Sequence, residues 1–192
     1  VDFRGDTLAF TPGNYSISTA LAINVPDARW VGPPVSHPVN ARATLTAAVA
    51  AAFAPTAAAD RMEIAYLQHV PLTAATMWDF GAVSGLHMHD NFYNADGITA
   101  NTATIFVVLA TASEFSQFTN SYIWVDGAQG PWIRSSGIIK GLSIRDFEIY
   151  LEAGSWANAN DMAGVGASDC NIGPGNVTGG GTALTVLVTI AD

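Results

Sequence analysis

The segment from Leu142 to Glu152 constrains the fold of this chain more than any other part of the sequence. Its apolar side chains recur with the two-residue period of a β-strand, at Leu142, Ile144, Phe147, Ile149 and Leu151. The period slips once, near Arg145 and Asp146. We therefore predict a strand with one face in the core and one face in water, and we expect the fold to be built from such strands.

Other segments show the same alternation, or an apolar run of strand length. They are residues 15–23, 61–70, 104–109, 122–125 and 182–190. This pattern predicts a mainly β protein, an antiparallel β-sandwich or jelly roll with one or two short helices in its connections. Residues 1–192 are expected to form a single domain, with residues 1–14 as an N-terminal arm and residues 154–181 as a long loop rich in Gly and Asn.

Two segments favour helices. Residues 40–53 are rich in alanine and lie between two prolines, so they are the best helix candidate, with a strand as the alternative. Residues 111–114 have the sequence of a capping box. They predict a short helix that runs to about Tyr122, with Phe115 and Phe118 facing inward.

The chain carries little charge, and its basic residues are scattered. Only 12% of residues are charged, and 7 Lys and Arg against 16 Asp and Glu give a net charge of -9, which argues against direct nucleic-acid binding. No apolar run reaches the roughly 18 uncharged residues of a membrane helix, so no membrane partner is expected. A lone cysteine, Cys170, excludes a disulfide framework within the chain. So few charges repel other copies weakly, which predicts contact with copies of itself or with a partner.

His87 and His89 form the most specific chemical pattern in the sequence. On a strand, this spacing places both imidazoles on one face, where they can bind a divalent metal ion with Asp90 or His69 as a further ligand. The spacing resembles the metal site of jelly-roll cupins, although the glutamate that cupins carry shortly after the second histidine has no counterpart here. We favour the other interpretation, that the histidines only hydrogen-bond locally or lie at a contact, so that no cofactor is expected.

Tryptophans near turns are the other candidate binding residues. The four that lie near turns are Trp30, Trp124, Trp132 and Trp156. Aromatic rings at such places can stack on sugar rings, but they can equally fill a core or a subunit interface. The sequence leaves both readings open.

A nearly lysine-free β domain rich in Ala, Thr, Asn and Gly, with proline-braced loops, resembles the shell or protruding domain of a small viral coat protein. This resemblance implies a structural, self-assembling protein of a virus particle, as capsid shell, protruding domain or decoration protein. It implies a virion or extracellular location, copies of itself or other virion proteins as partners, and no catalysis. The alternatives are a secreted carbohydrate-binding β-sandwich and a cupin-like metalloprotein that uses His87 and His89.

Overall fold

Short β-strands dominate the computed structural model of this protein. The structure describes residues 5–49, 51–71, 76–94, 105–109, 113–125, 133–135, 140–151, 171–172, 175–179 and 188–189. In chain order the strands are β1 (Thr7–Ala9), β2 (Gly13–Ile17), β3 (Leu21–Ile23), β4 (Arg29–Val31), β5 (Ala43–Ala47), β6 (Phe53–Pro55), β7 (Glu63–Ala65), β8 (Leu67–Pro71), β9 (Thr76–Phe80), β10 (His87–His89), β11 (Phe92–Asn94), β12 (Ile105–Leu109), β13 (Gln117–Val125), β14 (Ile133–Ser135), β15 (Ser143–Leu151), β16 (Asn171–Ile172), β17 (Gly175–Gly179) and β18 (Val188–Thr189).

Every strand pairing among these residues is parallel. A strand pairs with the equivalent strand of the next coil. Arg29 lies opposite Glu63, 34 residues later. Thr44 lies opposite Gln68, 24 residues later. The chain therefore winds as a parallel β-solenoid whose coils differ in length.

The solenoid has three faces. The first face contains β1, β4, β7, β10, the first halves of β13 and β15, and β16. The second contains β2, β5, β8, β11, the second halves of β13 and β15, and β17. The third contains β3, β6, β9, β12, β14 and β18.

The predicted antiparallel β-sandwich or jelly roll is therefore wrong, although the prediction of a mainly β protein is confirmed. Alternation reports which side chains face the core, and it is the same whether the neighbouring strand is parallel or antiparallel. In this chain each short strand ends at a corner, and the backbone continues around the coil instead of reversing beside the strand it has just left.

Inward side chains of successive coils stack in rows and form the core. The row on the first face is Trp30, Ile64, Met88, Phe118 and Ile144. The row on the second face is Leu45, His69, Tyr93 and Ile123. The row on the third face is Phe53, Trp78, Val107 and Ile133. Each fully buried large apolar side chain contributes roughly 1.5–3 kcal/mol, so the stacked rows are the main stabilising feature of the fold.

Left-handed backbone conformations mark the corner between the first and second faces. Tyr66, Asp90, Asn120 and Asp146 have φ values of 57°, 53°, 46° and 52°. Asp and Asn tolerate this conformation better than most residues, which fits three of the four positions. Asp146 is the corner within β15, so the predicted slip in its alternation is the point where the strand passes from one face to the next.

The buried side chain of Asn91 holds this corner between two coils. Its Oδ1 accepts a hydrogen bond from the backbone N–H of Leu67 at 3.1 Å, and its Nδ2 donates to the carbonyl oxygen of Ile64 at 2.8 Å. These two backbone groups flank Tyr66, where the turn interrupts the strand ladder. The amide therefore satisfies buried backbone groups that the ladder leaves without partners.

Both predicted helices are wrong. Residues 40–53 contain the end of a 3-10 turn (Pro38–Asn40), then β5 and the start of β6. The predicted helix from residue 111 to about Tyr122 begins outside the described residues, and its described part, 113–122, contains the start of β13, in which Phe118 faces the core, whereas Phe115 is 62% exposed. Stacking on neighbouring coils outweighs local helix propensity here, and small alanines fit the inward positions of β5.

Other predicted segments are refined by the structure. The segments at 15–23 and 61–70 are each split by a corner into two strands. Within the predicted arm, β1 pairs with β4, and within the predicted loop 154–181 the described residues form β16 and β17. No helix in the described part of the chain is long and apolar enough to span a membrane.

Candidate functional site

His87 and His89 lie on the outer surface of the first face. Their strand, β10, is between β7 and β13, and the buried Met88 separates them, so both imidazoles lie on one face, as the spacing predicts, and point away from the core. Their ring centroids are 4.4 Å apart. The strand thus presents two imidazoles side by side to groups on the neighbouring coils.

His89 lies between two carboxylates. Its Nδ1 is 2.7 Å from Oδ2 of Asp90, and its Nε2 is 3.3 Å from Oε1 of Glu63. Glu63 in turn accepts two hydrogen bonds from Arg29, at 2.7 and 3.1 Å. The bond from Arg29 is the main cause that lowers the pKa of Glu63, so this carboxyl is ionised at neutral pH and is poorly suited to act as an acid. We call Arg29, Glu63, His87, His89 and Asp90 the histidine–acid patch.

His87 has a different environment from its neighbour. Its Nε2 is 3.3 Å from the hydroxyl of Thr119 on the next coil. Burial of the ring lowers the pKa of His87, and the nearby His89 lowers it further. His87 is therefore neutral at pH 7, with a hydroxyl as its hydrogen-bonding neighbour.

The structure brings the predicted metal ligands His87, His89 and Asp90 together, but both nitrogens of His89 already face carboxylates. Among the residues that the structure describes, no group of three or more His, Cys, Asp and Glu side chains is arranged to hold a metal ion. His69, the other ligand considered, is buried in the inward row of the second face and is not part of the patch. Cys170 lies outside the described residues.

The predicted tryptophan set does not form one surface. Trp30 points inward, where its ring centroid is 5.5 Å from that of Phe53 and 5.9 Å from that of Trp78. Trp124 follows the buried Ile123 in β13 and lies half-buried on the outer side of the second face. Trp132 and Trp156 lie outside the described residues. Trp30 is therefore a core residue.

The first coil is the second candidate site. Strands β1, β2 and β3 each end their sheets, and no strand of the described chain pairs with their outer edges. Leu8 is 46% exposed and Leu21 is 39% exposed on this coil. A cavity of about 440 Å³ opens beside Leu8 and reaches Ile23, Val25 and Trp30. We call this surface the open end.

Sequence patterns miss the groups that complete both sites. Arg29 and Glu63 of the patch, and Thr119 beside it, come from other coils, and only the strand register shows that they are neighbours of the histidines. Leu8 lies in a polar segment of the sequence, so its role at the open end emerges only from its place in the first coil. No protein-family model, curated protein or solved structure matches this chain. The function must therefore be inferred from these two surfaces.

Proposed function

We propose that this chain is a structural protein that assembles with copies of itself or with other proteins of a virus particle, and that it catalyses no reaction. The observation that carries the proposal is the open end. The exposed Leu8 and Leu21, and the apolar cavity beside Leu8, are costly in water, because burying apolar surface releases about 25 cal/mol per Å². The edges of three strands at the same end offer backbone groups for pairing with a partner.

The distribution of charge supports the same proposal. Arg29 pairs with Glu63, Arg61 with Asp27 and Lys140 with Glu114, and each pair joins two successive coils. These cations are neutralised within the molecule. Because only 12% of residues are charged, most of the surface is uncharged and can lie against a neighbouring copy, while the repulsion that arises from the net charge of -9 is screened at physiological salt.

A double substitution at the open end tests the proposal. We expect the unmodified chain to form large particles in sedimentation or light-scattering measurements at micromolar concentration. We expect Leu8→Ser with Leu21→Ser to shift the chain to monomers, because the variant removes the apolar surface that a partner would bury. The matched control is Val39→Ser with Phe115→Ser, since Val39 is 37% exposed and Phe115 62% exposed away from the first coil.

Circular dichroism and thermal unfolding establish that each variant keeps the fold. A chain that stays monomeric at all concentrations would overturn the proposal. So would equal loss of assembly in the control variant, because the open end would then have no special part in it.

Carbohydrate binding is the second candidate function, and the histidine–acid patch favours it. The patch presents a carboxylate anchored by Arg29 and a neutral imidazole beside the Thr119 hydroxyl, and such fixed donors and acceptors suit sugar hydroxyls. Retention of a monomer on an immobilised glycan column, and loss of that retention in the His87→Ala variant, would support this function over assembly.

A further inference from the structure

A polar cleft lies within the segment that connects β4 to β5. It has a volume of about 400 Å³ and is lined by Pro33, Pro34, Val35, Ser36, Asn40 and Arg42. Binding sites for small molecules have volumes of about 300–1,000 Å³, so the cleft suits a ligand at the small end of that range. It is separate from the histidine–acid patch and from the open end, which contain none of these residues.

The backbone around the cleft is held in place before any ligand binds. At one end, the N–H of Gly32 donates to the carbonyl of Ala65 at 2.9 Å, and at the other the carbonyl of Arg42 accepts from Gly13 at 3.0 Å. Between them, the N–H of Asn40 donates to the carbonyl of His37 at 2.9 Å. Proline rings fix φ at Pro33 and at Pro38, which begins the 3-10 turn Pro38–Asn40. A preformed cleft costs little conformational entropy when a ligand binds.

The polar side chains of the cleft have no partners in the described part of the protein. Arg42 is exposed and forms no ion pair there, in contrast to the paired Arg29 and Arg61. The hydroxyl of Ser36 and the side-chain amide of Asn40 are exposed and make no intramolecular hydrogen bond among the described residues. A guanidinium, a hydroxyl and an amide therefore line one cleft with their hydrogen-bonding capacity unused.

We propose that this cleft binds an acidic sugar, a sugar unit that carries a carboxylate. A guanidinium presents its N–H groups in a fork that matches the two oxygens of a carboxylate. Ser36 and Asn40 supply donors and acceptors for ring hydroxyls, and Pro33 and Pro34 offer apolar surface to the C–H groups of the ring. This site does not depend on assembly through the open end.

The net charge of -9 weakens the binding of an anion, since much of the protein surface repels it. At physiological salt the Debye length is about 8 Å, so distant carboxylates act less strongly than the adjacent Arg42. We therefore expect a Kd on the order of 1 mM for a single sugar unit.

Saturation-transfer NMR with sodium glucuronate tests the site on the full chain. We expect saturable binding that Arg42→Gln weakens about tenfold or more. The matched control is Arg145→Gln, because Arg145 is also exposed but lies on the first face, away from the cleft. Glucose, which lacks the carboxylate, is expected to bind about tenfold more weakly than glucuronate.

Three results would overturn the proposal. The first is no saturation with glucuronate at about 50 times the expected Kd. The second is an equal loss of binding in the two arginine variants, which would indicate a non-specific charge effect. The third is displacement of glucuronate by an equal concentration of inorganic sulfate, which would show that the cleft recognises a simple oxyanion and not a sugar.

Discussion

The buried histidine on the second face makes the stability of the solenoid depend on pH. His69 is fully buried, and its Nδ1 accepts a hydrogen bond from Nε1 of Trp78 at 3.2 Å. Its Nε2 has no hydrogen-bond partner among the described residues, and its ring stacks on Tyr93 at 4.9 Å. Burial lowers the pKa of His69 from its ordinary value of 6.5 to about 4, because the charged ring would lose its hydration in the core.

The size and sign of the effect follow from this pKa. Folding favours neutral His69, while the unfolded chain takes up a proton as the pH falls through 6.5. Burial of His69 therefore carries no proton-linked cost above that pH, and the free energy of unfolding falls progressively as the pH falls towards about 4. Each pKa unit corresponds to about 1.4 kcal/mol, so the free energy of unfolding should fall by about 3 kcal/mol over this interval.

A His69→Gln variant isolates this contribution, since its amide oxygen can still accept from Trp78 but does not titrate. Urea unfolding is measured between about pH 7.5 and pH 4.5 for the unmodified chain, for this variant and for His37→Gln, which replaces a half-buried histidine outside the inward rows. Carboxylates titrate in all three chains, so their effect cancels in the differences. We expect the unmodified chain to lose up to about 3 kcal/mol more than His69→Gln. An equal loss of stability in the unmodified chain and in His69→Gln would refute the reasoning.

Two further substitutions test how the corners are built. Asn91→Ala should lower the free energy of unfolding by about 2–4 kcal/mol, because it leaves two buried backbone groups without partners. Urea unfolding measures this change, and the control Asn14→Ala, at an exposed position, should change the same free energy by less than about 0.5 kcal/mol. Gly32→Ala should cost at least about 2 kcal/mol, since its Cβ would lie 2.1 Å from the carbonyl oxygen of Tyr66. In Gly5→Ala, with φ of +75° and no atom within 4 Å, only a backbone cost of about 1 kcal/mol is expected; equal losses in the two glycine variants would contradict the steric explanation.

Alternation in the sequence predicts much of the local structure. The strand predicted at Leu142–Glu152 is β15, and the predicted inward residues Leu142 and Ile144 are buried. The placement of His87 and His89 on one face of a strand is also correct. These predictions succeed because each depends only on a side chain and its immediate neighbours along the strand, which share one backbone geometry.

The direction of pairing could not be predicted, because the repeat is hidden in the sequence. Equivalent residues are 34 apart at Arg29 and Glu63, but 24 apart at Thr44 and Gln68. Insertions such as the proline-rich segment after β4 change the length of a coil without changing the stacked rows. The neighbours of His89 in the patch are therefore fixed by a register that no constant sequence period reports.

The alanine-rich segment shows why local propensity failed. In β5 the inward residues Ala43, Leu45 and Ala47 are all buried, in contact with the rows of the adjacent coils. Alanine is the best helix former, but the preference amounts to less than about 1 kcal/mol per residue. Burial in stacked rows and pairing along both edges of the strand contribute more, so tertiary structure decides the outcome.

The ion pairs between coils connect this fold to the proposed assembly. Arg29 with Glu63 and Arg61 with Asp27 each join residues 34 positions apart in the sequence. Exposed pairs of this kind contribute only about 0–1 kcal/mol, so they add little stability. They do favour one register, and register is critical because a slip by one residue would turn every inward side chain outward. A chain that uses its few cations to align its own coils keeps a net charge of -9, so the exposed leucines of the first coil must supply the free energy of association, and added salt, which screens that charge, should strengthen it.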